Sequence, residues 1–100
     1  MKQQSRCTTD SLKVLGDFWT LAIIQELQVS EKRFCELERS LKVVNPTTLT
    51  NRLKKLEALR IIKRQEETVD KLSVTYGLTP KGRAALSVIR EMADFARRYP

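Results

Sequence analysis

Apolar and polar positions along the chain divide it into five helical segments and a pair of strands. Helices are predicted over about residues 9–15, 19–27, 34–41, 45–59 and 80–99. Strands are predicted over residues 61–66 and 72–78, because apolar and polar side chains alternate in the second of these segments. Since the two strands follow each other closely, we expect a hairpin that turns around residues 68–71.

Three of the predicted helices start with a residue that can cap the first turn. Asp17 precedes the second helix, Asn45-Pro46 opens the fourth, and Thr79-Pro80 opens the last. An oxygen of the capping side chain accepts a hydrogen bond from a backbone N–H that has no partner in the helix. Proline is tolerated in the first turn because the N–H it lacks has no partner there.

The predicted helix 45–59 has one apolar stripe and one polar face. Leu49, Leu53 and Leu56 fall on the stripe at 100° per residue. The polar side chains away from it are Thr47, Thr48, Asn51, Lys54 and Lys55. Asn makes a two-point contact to adenine, Lys reaches guanine acceptors or phosphates, and Thr offers a hydroxyl and a methyl group. This face has the chemistry needed to read a major groove.

The positive charge of the chain is concentrated around this helix. Lys and Arg number 19 against 12 Asp and Glu, which gives a net charge of +7, and residues 45–64 hold six basic residues and one acidic residue. Such a local excess favours a polyanionic partner, although it is also found on ordinary solvated faces. Expected phosphate contacts are Arg52, Lys63 and Arg64. Arg52 flanks the leucine stripe, so Glu36 and Glu38 are alternative partners for it.

Length and composition argue against an enzyme. One hundred residues have room for one modest core, so we predict a single domain over residues 1–100. The chain has no His and two Cys, which removes imidazole catalysis and a four-ligand zinc site, and we predict no cofactor. No stretch approaches the roughly 18 to 20 apolar residues of a membrane span, so we expect a cytoplasmic protein without a membrane partner.

The order of the predicted elements is that of a winged helix-turn-helix domain, mainly α with a small two-stranded β-wing. Several segments also resemble the HxlR-type family of bacterial and archaeal regulators, and together they cover nearly the whole chain. They are Cys7–Leu27, Arg33-Phe34, Glu36-Leu37, Leu49–Leu53, Leu56-Glu57 and Tyr76–Gly82, of which Trp19–Leu21 and Leu78–Gly82 are the most specific. The resemblance implies a transcriptional regulator that binds double-stranded DNA.

Two departures from the family pattern affect the expected DNA-binding surface. The family commonly ends its recognition helix with an acidic residue and a glycine, where this chain has Leu59 and Arg60. Either a non-glycine residue adopts a left-handed conformation, at a cost of about 1 kcal/mol, or the helix ends differently. The resemblance also brings the wing to the DNA backbone, but Glu66 and Glu67 repel phosphate, so we expect a weak contact mainly through Lys71.

The two cysteines receive different predictions. Cys7 matches the N-terminal cysteine that senses oxidants or electrophiles in some members of the family, so the resemblance implies a thiol sensor at this position. The alternative for Cys7 is inert packing. Cys35 is next to Phe34, and we expect it to be a small buried side chain, because free Cys is among the most buried residue types.

The apolar arc of the last helix spans roughly 200°, about twice the stripe that a surface helix needs. We expect a second copy of the chain to bury the excess, together with the first helix. The predicted interface residues are Leu12, Leu86, Ile89, Met92, Ala93, Ala96 and Tyr99. The alternative is a monomer whose N-terminal segment folds back over this helix.

We therefore predict a homodimeric transcriptional regulator that reads a near-palindromic operator through the helix 45–59 in the major groove. A two-fold dimer sets its recognition helices about one DNA turn, ~34 Å, apart. The main alternative is a winged-helix module that binds another protein through the same face and never touches DNA. A third hypothesis is a thiol-based redox protein that has no role in DNA binding. The sequence does not indicate an effector.

Overall fold

The computed structural model describes residue 10 and residues 12–42, 44–66 and 74–100. Its helices are α1 (Phe18–Val29), α2 (Phe34–Leu41), α3 (Pro46–Ala58), α4 (Pro80–Ala84) and α5 (Leu86–Arg98). Its strands are β1 (Lys32–Arg33), β2 (Ile62–Glu66) and β3 (Val74–Leu78). Residues 12–15, ahead of α1, are also helical. Within these described ranges no helix has the length and apolar character of a membrane span.

The predicted caps of α1 and α3 are confirmed. Asp17 accepts hydrogen bonds from the backbone N–H of Thr20 at 2.9 Å and from the Thr20 hydroxyl at 3.0 Å. Asn45 Oδ1 accepts from the N–H of Thr47 at 2.7 Å, and Pro46 occupies the first turn of α3. Both helices therefore begin where a side-chain oxygen satisfies an N–H that the helix leaves free.

The described part of the chain forms a sheet of three strands, in which the predicted two-stranded β-wing is joined by one further strand. The predicted pairing of β2 with β3 is confirmed, and it is antiparallel with Ile62 opposite Leu78. The additional strand, β1, pairs with the other edge of β3, with Lys32 opposite Tyr76. Two residues are too short to show alternation, so β1 is defined by its partner rather than by its own sequence. The predicted turn at 68–71, with Lys71, lies outside the described residues.

The last helix, predicted as one segment over residues 80–99, is divided into α4 and α5 at Ala85. The N–H of Ala85 donates to the carbonyl of Gly82, three residues back, at 3.1 Å, which makes this turn tighter than an α-helical one. The Ser87 hydroxyl donates to the Ala84 carbonyl at 3.0 Å. Such side-chain bonding to a carbonyl of the preceding turn often bends a helix.

The core lies among α1, α2, α3 and the sheet. Its buried apolar residues are Ile23, Ile24, Leu27, Leu37, Val44, Leu49, Leu53, Leu56, Ile61, Ile62 and Leu78. The leucine stripe of α3 is thus buried as predicted, and this burial fixes which face of α3 is turned outward. No residue of α5 is fully buried, although Leu86 and Ile89 pack against the core.

Candidate nucleic-acid interface

The polar face of α3 lies on the surface of the molecule. Thr47, Asn51, Lys54 and Lys55 are exposed, and Thr48 is half-buried. The side chains predicted to read DNA are therefore brought together on one helix face, opposite the buried leucines. An α-helix with such a face fits the width of a B-DNA major groove.

One side chain of α3 is held by the N-terminal end of α1. Arg52 Nε donates to Asp17 Oδ2 at 2.8 Å, and Arg52 Nη2 donates to Asp17 Oδ1 at 3.1 Å. This hydrogen bonding lowers the pKa of Asp17 from 3.8 to about 2, with further help from the donors of Thr20 and against a smaller effect of burial. Arg52 is thus paired with Asp17 rather than with Glu36 or Glu38, the two partners considered from the sequence.

The C-terminal end of α3 is closed by a left-handed residue that is not glycine. Arg60 has a φ of 62°, its N–H donates to the carbonyl of Glu57 at 3.0 Å, and the N–H of Ile61 donates to the carbonyl of Leu56 at 2.9 Å. These two bonds define a Schellman motif. The buried side chains of Ile61 and Leu56 flank the motif and offset the cost of placing Arg60 in this conformation. Of the two sequence-based alternatives, the left-handed cap is the one adopted.

The segment that follows β3 holds the same end of α3. The ammonium of Lys81 donates to the carbonyl of Leu59 at 2.8 Å, and the hydroxyl of Thr79 donates to the carbonyl of Arg60 at 2.5 Å. Thr79 also caps α4, because its Oγ accepts from the N–H of Gly82 at 3.1 Å. Carbonyls at the end of a helix have no partner within it, and a cation there is favourable to the helix dipole. These contacts give a structural reason for Leu78–Gly82, one of the two most specific segments of the sequence resemblance.

The two predicted basic residues of β2 are exposed, and each has an acidic neighbour. Lys63 Nζ lies 3.9 Å from Glu31 Oε2, and Arg64 Nη1 lies 2.8 Å from Glu66 Oε1. Hydrogen bonding to the Glu66 carboxylate, and then to Tyr76, raises the pKa of Arg64. Exposed ion pairs are worth little, so a phosphate can replace either carboxylate at small cost.

A cleft of about 370 Å³ is lined by residues of α3 and of the sheet. Its lining residues are Phe34, Thr50, Lys54, Glu57, Arg64 and Tyr76. The cleft brings Lys54 of α3 and Arg64 of β2 to one site, although they are ten positions apart in the sequence. Thr50 and Tyr76 were not predicted as site residues. Thr50 shares a helix edge with Lys54, four residues on, and this spacing is the signal that would have included it.

Several apolar side chains that are remote in sequence from α3 are also exposed. Met92 is 52%, Phe95 65% and Tyr99 69% exposed on α5, and Leu12 is 65% exposed ahead of α1. The predicted interface residues Ala93 and Ala96 are exposed too. The remaining two predicted members, Leu86 and Ile89, are half-buried against the core.

The prediction for Cys35 was wrong, because its side chain is exposed. On α2, Leu37 is buried and Phe34 is half-buried. Cys35 is rotated by about 100° from Phe34 and about 160° from Leu37 around the helix axis, so it faces away from the core. Cys7 lies outside the described residues.

Three helices with a capped, outward-facing α3 and a following antiparallel sheet define a winged helix-turn-helix protein. Residues 14–100 match the family described as HxlR-like helix-turn-helix, and the chain belongs to this family. It is a transcriptional regulator of the helix-turn-helix type.

Named relatives support this assignment. The HTH-type transcriptional regulator YodB of Bacillus subtilis is 34% identical over 89 residues, which is 89% of this chain and 80% of YodB. The quinone-bound crystal structure of B. subtilis YodB has a TM-score of 0.83 at 32% identity and covers 94% of this chain and 99% of its own. The redox regulator HypR in its oxidised form has a TM-score of 0.83 at 26% identity, covering 93% of this chain and 96% of its own.

Proposed function

We propose that this chain binds double-stranded DNA by inserting α3 into the major groove. The observation that carries the proposal is the exposed polar face of α3, with Thr47, Asn51, Lys54 and Lys55 on one side of a helix whose other side is buried. Both ends of α3 are held, by the Asn45 cap and by the Lys81 contact, so the face is presented on a rigid element.

The side chains have different roles in this proposal. Asn51 makes the two-point contact to adenine, and Thr47 and Thr48 contact base edges or thymine methyl groups. Lys54 and Lys55 reach guanine acceptors or phosphates. The backbone contacts further from α3 are Lys63, Arg64 and Lys71. Phosphate contacts give affinity on any DNA, whereas base contacts distinguish one sequence from another.

The proposed regulator acts as a homodimer. The exposed apolar side chains of Met92, Phe95 and Tyr99 on α5, together with Leu12, support a second copy as the partner of this surface. A two-fold arrangement places two α3 helices about one DNA turn, ~34 Å, apart and matches a near-palindromic operator.

The proposed regulator is also thiol-responsive through Cys7. Support comes from the resemblance of Cys7 to the family's N-terminal cysteine. Two similar structures also support it, because YodB was crystallised with a bound quinone and HypR is a redox regulator. Modification of the Cys7 thiolate then changes the affinity for the operator. Replacing Cys7 with Ser should abolish the response to oxidant, and an unchanged response in that variant would remove Cys7 from the proposal.

Selection of bound duplexes from a random-sequence pool, run with and without oxidant, tests the function as a whole. We expect enrichment of a near-palindromic sequence. Affinity for the selected duplex should fall about tenfold or more between 50 and 200 mM salt, since several phosphate contacts release counterions. A pool that remains unenriched, with binding to DNA absent at low salt, would instead favour the protein-binding module.

A further inference from the structure

Arg52 and Asp17 join two elements that are far apart in the sequence. They are separated by 35 positions, and the two hydrogen bonds between them connect the middle of α3 to the N-terminal end of α1. The side chains are 34% and 30% exposed, so the pair is screened less than a fully solvated one.

The carboxylate of Asp17 is a fixed anchor. Its Oδ2 accepts from the N–H and the hydroxyl of Thr20 as well as from Arg52 Nε, and Thr20 is 2% exposed. These hydrogen bonds restrict the orientation of the Asp17 carboxylate. The planar guanidinium matches such a carboxylate with two parallel hydrogen bonds, which a lysine ammonium cannot reproduce.

The position of Arg52 on α3 makes it suited to set the rotation of the helix. It lies between the leucine stripe and the polar face, next to Asn51. Thr48, four residues before it, and Lys55, three residues after it, lie on the same side of the helix. The leucines oppose lifting of the helix, but apolar packing tolerates small rotations. A two-point contact to a base requires placement within about 0.5 Å and 10–20°.

We propose that Arg52 is a positioning residue, not a phosphate contact: its ion pair with the cap of α1 holds the rotation of α3 at which Asn51 and its neighbours meet base edges. This role rests on the proposed function, because it concerns how well α3 distinguishes its operator from other DNA. It also connects the rotation of α3 to α1, which follows Leu12, one of the residues expected in the dimer interface.

Two variants separate the ion pair from other roles of the same residues. Asp17→Asn keeps a good capping residue but removes the negative charge. Arg52→Lys keeps the positive charge but removes the planar guanidinium that makes two parallel hydrogen bonds. Each should lower the affinity for a selected duplex about tenfold and the affinity for a scrambled duplex less than about twofold. The double variant should lose little more than either single one, since both remove the same interaction.

The salt dependence gives the readout that distinguishes positioning from phosphate binding. In Arg52→Ala, which removes the charge, and in Asp17→Asn the slope of log affinity against log salt should equal that of the wild type, because a residue that contacts no phosphate releases no counterions. The matched control is the surface pair of α5, tested as Asp94→Asn and Arg97→Lys, which should leave both affinities unchanged. Thermal unfolding of each variant shows whether it is folded at the assay temperature. If Asp17→Asn is unfolded there, the affinities of Arg52→Lys alone test the proposal.

Three results would overturn the proposal. Equal losses on selected and scrambled DNA, with a salt slope for Arg52→Ala that is smaller by about one, would make Arg52 a phosphate contact. Unchanged affinity in Arg52→Lys and Asp17→Asn would leave the pair without a role in recognition. Failure of the wild-type chain to bind any duplex would overturn the proposed function itself, and the wild-type measurement therefore distinguishes that failure from the other two.

Discussion

Gly82 lies against Ile61, so close that a Cβ atom at residue 82 would be 2.1 Å from the Ile61 carbonyl oxygen. The same carbonyl accepts the N–H of Thr79 at 3.1 Å, so it cannot move away without breaking that bond. This close contact packs the N-terminal end of α4 against the C-terminal end of α3, beside the hydrogen bond from Lys81 to the Leu59 carbonyl.

Gly82→Ala should therefore destabilise the fold by about 2 to 3 kcal/mol, because the added methyl group must displace backbone rather than a flexible side chain. Urea denaturation of the variant and the wild type measures the difference. Arg83→Ala, at the exposed neighbouring position, is the control and should change stability by less than about 0.5 kcal/mol. A loss of similar size in both variants would mean that the close contact is not the cause.

Arg60→Gly should stabilise the protein by about 0.5 to 1 kcal/mol. Arg60 is left-handed at a φ of 62°, where glycine has no Cβ penalty, and the gain is reduced by the greater freedom of glycine in the unfolded chain. Arg60→Ala, which also removes the side chain, should give no such gain. The midpoint and slope of urea denaturation measure the stability of each variant. Equal stability of the Gly and Ala variants would contradict the explanation by the left-handed conformation.

Folding stability should fall as the pH drops from 4 towards 2, partly because of Asp17. The Arg52 guanidinium lowers the pKa of Asp17 from 3.8 to about 2 in the folded protein. The ionised carboxylate therefore adds its full stability above the pKa of the unfolded chain, and this stability is lost as the pH falls towards the pKa of the folded protein. Allowing for partial exposure, this contribution is about 1 to 2 kcal/mol. Asp17→Asn should be less stable at pH 6 and show a shallower decline, whereas Asp94→Asn should follow the wild type.

Asn51→Ala should cost about 1 to 3 kcal/mol in binding to the selected operator and little on random DNA, while Lys55→Ala weakens both alike. The reason is that an amide reads a base edge, whereas an ammonium attracts phosphates on any sequence. Fluorescence anisotropy with the two kinds of duplex measures both effects. If Asn51→Ala lost the same affinity on every sequence, Asn51 would read no base.

Met92→Lys should weaken self-association at least about tenfold, because a charge would replace an apolar group in the proposed interface. Analytical ultracentrifugation over a range of concentrations measures the monomer–dimer equilibrium. Ser87→Lys, at an exposed polar position of α5, is the matched control and should leave the equilibrium unchanged. A wild-type chain that remains monomeric would favour the alternative in which its own N-terminal segment covers the helix.

Local signals in the sequence were sufficient for most of the fold. The cap residues Asp17 and Asn45 determine where α1 and α3 begin, because they act on N–H groups two or three residues away. The spacing of the leucines in α3 determines its buried face for a similar reason, since residues three and four apart share one side of a helix. The polar face offered for recognition follows from that spacing without knowledge of any distant contact.

Contacts between distant segments were decided only by the tertiary structure. The sequence offered Glu36 and Glu38 as partners for Arg52, and the packing of α1 against α3 paired it with Asp17 instead. Strand β1 exists because it meets β3, and Cys35 is exposed because α2 turns it away from the core. Periodicity along one helix specifies which residues share a face, but not which element will lie against that face, because that choice depends on the free energy of the whole packed core.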